Sequence, residues 1–292
     1  MKSILTIIVQ PIWVFAFLFF SNVACEKNEN LSSSQKSPVL AAYLFADQGI
    51  DSIYIGRSIA YDDADSVNHY LDNLEVLLSD GENEYQLNSI GEGYYQNLDL
   101  TIQSERDYKL SFYYNGEVVS AETYIPAKKE VGISAEEIEL EKIEAGFFGG
   151  GGPGGGFGGG FNGDETDPIE LTWDNSEADH YYVVIKNIEE EIEYINENIA
   201  LFDDENGGRR RFSFITEPEI MDVYRIDPRI ELTQYGTYEI IVYRVNPEYV
   251  TLYENSSNST LYLEKPATNV VNGLGILTGV NSDTLYLEVV EP

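Results

Sequence analysis

The chain has 292 residues, room for about two domains of ordinary size, and its 43% hydrophobic content excludes a disordered or fibrous chain. Its 51 acidic residues against 17 basic ones give a net charge of −34, which repels nucleic-acid phosphates and anionic lipid surfaces; nucleic acid is excluded as a partner. A single cysteine excludes any intramolecular disulfide, and 22 tyrosines beside two methionines and two tryptophans lean toward β-structure, because aromatic side chains suit a pleated, half-buried surface.

The chain opens on Lys2 and an apolar run from Ile4 to Phe20, broken by Thr6, Gln10 and Pro11. Length and charge layout predict a signal peptide over residues 1–24, and the interruptions argue against a permanent span. The run Val23-Ala24-Cys25 resembles a bacterial lipobox, with Asn22 where that pattern favours Leu. The resemblance implies that Cys25 becomes the diacylated first residue of the mature protein. A polar, Ser-rich stretch over residues 25–37 reads as a flexible tether. Its start, Cys25 to Glu29, resembles the export signals that send Bacteroidota lipoproteins to the cell surface.

From 38 to 126 short apolar runs alternate with turn signals. "VLAAYLFA", "DSIYIGRSIAY", "LEVLLSDGENEYQLNS", "GYYQN" and "YKLSFYYNGEVVSAETYI" supply about seven strands, with hairpin turns at Asp80-Gly81 and Asn115-Gly116. The pattern predicts an immunoglobulin-like sandwich. The loop "DDADSVNHYLDN" carries Asp62, Asp63, Asp65, His69 and Asp72. With Asp63 as first ligand of a calcium loop, Val67 stands at position five and Asn68 at position six, where an oxygen ligand and a glycine are required; the motif fails. The loop reads as solvated acid.

Next comes "GFFGGGGPGGGFGGGFNG", residues 146–163, in which 12 of 18 residues are glycine. A phosphate-binding loop needs a lysine and a hydroxyl at its end, and a dinucleotide fingerprint needs a strand before it and a helix after it. Neither is present, so the run reads as flexible low complexity spanning roughly 25 Å as a random coil. It serves either as a linker between domains or as a loop inside the second one, the arrangement favoured here because Pro126 already closes the first sandwich. Residues 127–292 predict a second sandwich. "IELTWD" and "HYYVVIKNI" resemble the B and C strands of a fibronectin type III module, "YGTYEIIVYRVN" resembles its F strand with Tyr238 near the tyrosine-corner position, and "ISAEEIELEKI" supplies strand A. Arg209, Arg210 and Arg211 follow a turn at Asn206-Gly207; they offer forks for phosphate or carboxylate, or only a hairpin tip paired with Asp203, Asp204 and Glu205.

Catalysis finds little support. His69 and His180 fall in separate regions and outside any catalytic motif. No cofactor or metal signature is present. Three sites, Asp51-Ser52-Ile53, Asp65-Ser66-Val67 and Asp283-Thr284-Leu285, resemble the Asp-Ser/Thr-aliphatic motif that Bacteroidota O-glycosylate. Ser66, in a loop, is the favoured acceptor, while Ser52 and Thr284 are expected to be partly shielded at strand starts. Asn272-Gly273-Leu274-Gly275 reads as a tight turn returning the last strand onto the second sandwich, or as an interaction loop where bare backbone contacts a ligand or barrel.

Taken together, Cys25, the opening "PVLAAYLFADQGIDSIYIGRSIAY", the exit Thr123-Tyr124-Ile125-Pro126-Ala127, "LTWD…YYVV" and above all "NVVNGLGILTG" (269–279) resemble a Bacteroidota lipoprotein family catalogued as domain of unknown function 4249. The resemblance implies an outer-membrane lipoprotein, encoded beside TonB-dependent barrel transporters, and brings no catalytic residues. The expectation is a non-enzymatic all-β protein of two immunoglobulin/fibronectin III-like sandwiches. It is lipid-anchored at the cell surface rather than the periplasmic face, and is an accessory or ligand-capture partner of a TonB-dependent transporter. The alternatives are a surface adhesin or glycan-binding lipoprotein, stacking sugars on pairs such as Tyr94-Tyr95 and Tyr181-Tyr182, and an unrecognised hydrolase.

Overall fold

Seven strands follow one another in the first region: β1 (Pro38–Phe45), β2 (Ile50–Arg57), β3 (Val76–Ser79), β4 (Glu84–Gly91), β5 (Tyr94–Asn97), β6 (Arg106–Tyr114) and β7 (Glu117–Ile125). They come from a computed structural model that describes residues 36–59, 69–143, 167–198, 213–257 and 267–292. Period-two alternation fixes the inward face of each strand. Tyr108, Leu110 and Phe112 of β6 and Val119, Ala121 and Ile125 of β7 are all buried, while Lys109 and Glu122 pair across the outer face at 2.6 Å. Asn115 (φ 49°) and Gly116 (φ 91°) make the turn between them with two left-handed residues. The Asp80-Gly81 turn differs: only Gly81 is left-handed, and the Asp80 carboxylate instead accepts the amides of Glu82 (3.0 Å) and Asn83 (2.7 Å).

β4 turns the corner of this sandwich. Its first half pairs with β3, which continues to β6 and β7; its second half pairs with β5, which continues to β2 and β1. The two layers enclose a core that includes Leu40, Leu44, Ile53, Ile55, Leu78, Tyr95 and Leu110.

The second lobe is built from β8 (Gly132–Ile133), β9 (Glu137–Glu139), β10 (Ile169–Thr172), β11 (His180–Asn187), β12 (Ser213–Ile215), β13 (Glu219–Ile220), β14 (Val223–Ile226), the short helix α1 (Pro228–Glu231), β15 (Gly236–Val245), helix α2 (Pro247–Ser257) and β16 (Leu274–Val290). One sheet runs β14-β10-β8; facing it, β12 and β13 pair with β11, then come β15, β16 and, in parallel, β9. This is the fibronectin III-like arrangement, with strand A broken into β8 and β9 on opposite sheets. Ile143 and Ile169, on either side of the glycine run, both belong to this lobe, and the run itself lies outside the described residues. Helix α2 was not foreseen. Its signals are local: Pro247 stands at the first helical position, Glu248 adds charge to the first turn, and the carbonyl of Asn246 accepts the amides of Tyr249 and Val250.

β16 belongs to both lobes. Its first half, Leu274–Val280, pairs in parallel with β1; its second half, Val280–Val289, pairs antiparallel with β15. Val270 and Leu277 lie in the first core, Leu287 and Val289 in the second. The Asn269–Val280 segment, which the sequence assigned to the second sandwich with the rest of 127–292, therefore completes the first. The physical reason is its length: at 17 residues β16 is long enough to leave one sandwich and enter the other. Ser37–Pro292 is accordingly one compact unit with two principal cores.

Candidate functional sites along the shared strand

The segment before β16 is knitted to β7. Ser120 and Val271 exchange backbone hydrogen bonds (2.8 and 3.2 Å), and Asn272, left-handed at φ 58°, donates its side-chain amide to the Val118 carbonyl at 2.9 Å. The Asn269 side chain acts as a substitute strand: its oxygen accepts the Leu277 amide (3.0 Å) and its nitrogen donates to the Leu277 carbonyl (2.7 Å). Asn272 and Gly275 (φ 101°) are left-handed and Gly273 is not. A Cβ on Gly275 would overlap the Leu40 carbonyl, and one on Gly279 would overlap the Tyr124 carbonyl. Both glycines let β16 lie between β1 and β7 at backbone contact. Of the expected interaction loop, Asn272 is exposed while Gly273, Leu274 and Gly275 are half-buried.

Further along, β16 forms a seam between the lobes. Asn281 donates to the Pro126 carbonyl (2.8 Å) and to Ser104 (3.0 Å). Asp283 accepts from the Val131 amide at 2.9 Å and pairs with Lys128 at 2.9 Å. Arg244 of β15 follows Tyr238, Ile240 and Val242 on the inward face of the strand and is buried. Its guanidinium bonds the Ala127 carbonyl (3.0 Å) and the carboxylates of Glu177 and Asp179. Arg244, Tyr181, Lys129, Asn281 and Asp283 line a small pocket beside the 126–131 connection. Among the described residues the buried Tyr181 hydroxyl and Arg244 Nε have no hydrogen-bond partner, and burial pushes the Tyr181 hydroxyl up to about 12. Sequence reasoning missed this seam, although a charge at an inward position of "YEIIVYRV" was its visible sign.

On the outer face of the seam aromatic rings gather. Tyr182 stacks on Tyr243 (centroids 4.7 Å, 17°) and on Tyr249 of α2 (5.7 Å, 16°), while Tyr43 meets Tyr249 edge-on at 6.3 Å. Val245, Val250 and Val280 pack beneath them with Phe45. Burial, then the neighbouring Tyr249 and Tyr243, raise the Tyr182 hydroxyl well above the usual tyrosine range.

The tyrosine pairs divide as strand alternation requires: Tyr181 and Tyr95 are core residues, Tyr182 joins the stack, and Tyr94 is exposed, tilted against Tyr54 at 5.4 Å. His69 sits against Tyr70 at 4.5 Å in the first lobe and His180 on β11 in the second; the structure does not bring them together. Ser52 and Thr284, expected to be partly shielded, are both exposed. A register shift between Ile50 and Ile53 turns Asp51 and Ser52 outward together, and Thr284 falls opposite Ile241 on the outer face. Asp283, beside it, is engaged in the seam. Cys25, Ser66 and Arg209–Arg211 lie outside the described residues.

No curated protein matches the chain. Among solved structures it is similar to the FN1–FN3 domains of chicken CNTN1, at 10% identity and a TM-score of 0.27, covering 73% of this chain and 60% of that one. It is also similar to a titin A168–A169 fragment, at 10% identity and a TM-score of 0.21, covering 87% of this chain and 100% of that one. The sequence matches a domain of unknown function, DUF4249, over residues 28–285, a span that runs through both lobes and the knitted Asn269–Gly279 segment. The chain belongs to the DUF4249 family.

Proposed function

We propose that this protein is a non-enzymatic lipoprotein of the outer membrane, anchored at the cell surface through Cys25, and that it serves a TonB-dependent transporter as accessory or ligand-capture partner. The observation that supports the reading is the placement of its only cysteine. Cys25 stands directly behind the apolar leader, and the family match begins at residue 28, just after it. An acyl chain there supplies membrane affinity that the polar residues after it lack. The transporter is what the family resemblance implies. The test is a pull-down of tagged protein from detergent-extracted outer membranes. Recovery of a barrel transporter with the native chain supports the partnership, and its absence removes it. Separately, Cys25→Ala moves the protein to the soluble fraction if Cys25 is the anchor; a variant that still pellets at high salt argues against lipid anchoring.

One observation favours the glycan-binding reading as the second choice. Tyr94 and Tyr70 are exposed on the first lobe, and Tyr54 backs Tyr94. Such rings stack on sugar faces. Glycan-array binding lost in Tyr94→Ala, without any co-purifying barrel, would replace the transporter reading with this one.

A further inference from the structure

We infer that the parallel pairing of β1 with β16 is a mechanical clamp, loaded in shear, that carries pulling force between the N-terminal segment and the second lobe. This goes beyond the functional reading and does not depend on lipidation.

The geometry is specific. β1 is the first strand of the folded body, and Val39 to Phe45 pair in unbroken register with Leu274 to Val280. Because the strands are parallel, their N-terminal ends lie side by side. A pull on the chain before Pro38 draws β1 toward its own N-terminus. A pull on β16 from beyond Val290, or on anything fastened to it in the second lobe, draws β16 the opposite way. The load then runs along the strands, and all seven register pairs resist it together. A ladder opened from one end gives up its pairs one at a time.

The surroundings suit that load. β1 is flanked on its other edge by β2, from Pro38↔Arg57 to Ala41↔Tyr54, so it cannot swing outward to convert shear into peeling. β16 is held on the β7 side by the Asn269 bracket on Leu277 and by the Gly279 amide, which donates to Thr123 at 2.9 Å. Gly275 and Gly279 bring the backbones into contact, and a larger residue at either place would push the strands apart. From Val280 onward the same strand carries ten pairs with β15, so the second lobe has a continuous hold on it.

Single-molecule pulling tests the proposal by changing direction while opening the same pairs. In the shear geometry the chain, produced without its leader so that Cys25 is not acylated, is held by the Cys25 thiol and by a cysteine appended after Pro292. In the peeling geometry the second handle is Val271→Cys, at an exposed position just before β16. We expect the shear geometry to unfold at a force roughly twofold or more above the peeling geometry at equal loading rate, since forced unfolding reports the barrier along the direction pulled. Ala267→Cys, four residues earlier on the same segment leading into β16, is a second peeling handle if Val271→Cys alters the thermal midpoint. Equal forces in the two geometries, or a lower force in shear, overturn the clamp.

Discussion

Two buried tyrosines of the second core carry opposite hydrogen-bond situations on the same ring. The Tyr238 hydroxyl accepts from the Gln234 amide (2.9 Å) and donates to the Gln234 carbonyl (3.0 Å), closing the tyrosine corner that was expected from its place in the strand. The Tyr181 hydroxyl has no such partner. Tyr238→Phe removes both hydrogen bonds to the buried Gln234 backbone and is expected to destabilise by about 1–3 kcal/mol, whereas Tyr181→Phe removes a hydroxyl that makes none and is expected to be neutral or stabilising. Urea unfolding of both variants checks the contrast; equal losses would refute it. Asp80 supplies a pH dependence. Its carboxylate is held well below the usual range, first by the Asn83 amide, then by the Glu82 amide and the Arg106 guanidinium at 2.8 Å. A depressed folded-state pKa stabilises the fold above the unfolded carboxylate value of about 3.9 and ceases to do so as pH falls through the folded value. Asp80→Asn is therefore expected to be less stable than the parent at pH 7, with the gap narrowing as pH is lowered below about 4. Denaturant midpoints across that range measure it, and a gap that stays constant would contradict the assignment.

Among the elements, β16 concentrates the tightest steric demands. Gly275 combines a left-handed backbone with a Cβ position already occupied by the Leu40 carbonyl, so Gly275→Val faces strain and overlap together. Gly273 lacks the left-handed backbone, and a Cβ there would meet the Val270 side chain at 2.9 Å and the Pro38 carbonyl at 3.2 Å, tight contacts but short of the overlap at Gly275. Gly275→Ala is expected to cost several times more stability than Gly273→Ala, with thermal midpoints as the readout; the reverse order would show the turn to be misread. Most of the strands were legible because alternation and turn residues act locally. The pattern in "YKLSFYYNGEVVSAETYI" fixes β6, its turn and β7 without reference to the rest of the chain. What was not legible is where a strand finds its partner. "NGLG" reads as a tight turn returning the last strand onto the second sandwich, and nothing in the period of "ILTGVNSDTLYLEVV" shows that Leu277 faces the first core and Leu287 the second. The seam was hidden for the same reason. Arg244, Asn281 and Asp283 are spaced like ordinary strand residues, and only the fold brings the 126–131 connection against them.

At the scale of the whole molecule, the question is whether two sandwiches with separate cores behave as one body. Domains within a chain are by default mobile unless their interface is large and apolar. Here the interface is covalent in part, because β16 crosses it. Around the crossing Val245, Val250 and Val280 pack with Phe45 and the stacked tyrosines, and polar ties run alongside: Thr123 to Glu248 at 2.7 Å, Asn246 to the Tyr124 carbonyl at 2.7 Å, Asn281 to the Pro126 carbonyl. Unfolding the second lobe alone would strip β15 from β16, expose the valines and break these ties while β16 still had to hold its place beside β1. The two lobes are therefore expected to melt in a single transition whose calorimetric and van't Hoff enthalpies agree. The decisive comparison uses Ile240→Ala, which empties a fully buried position in the second core, outside the residues that line the seam pocket, and is expected to cost about 2–5 kcal/mol. If the lobes are coupled, the whole transition shifts to lower temperature and stays single, and amides of β6 in the first core lose hydrogen-exchange protection along with those of β15. If the variant instead splits into two transitions, with β6 protected through the first, the shared strand joins the lobes without coupling them.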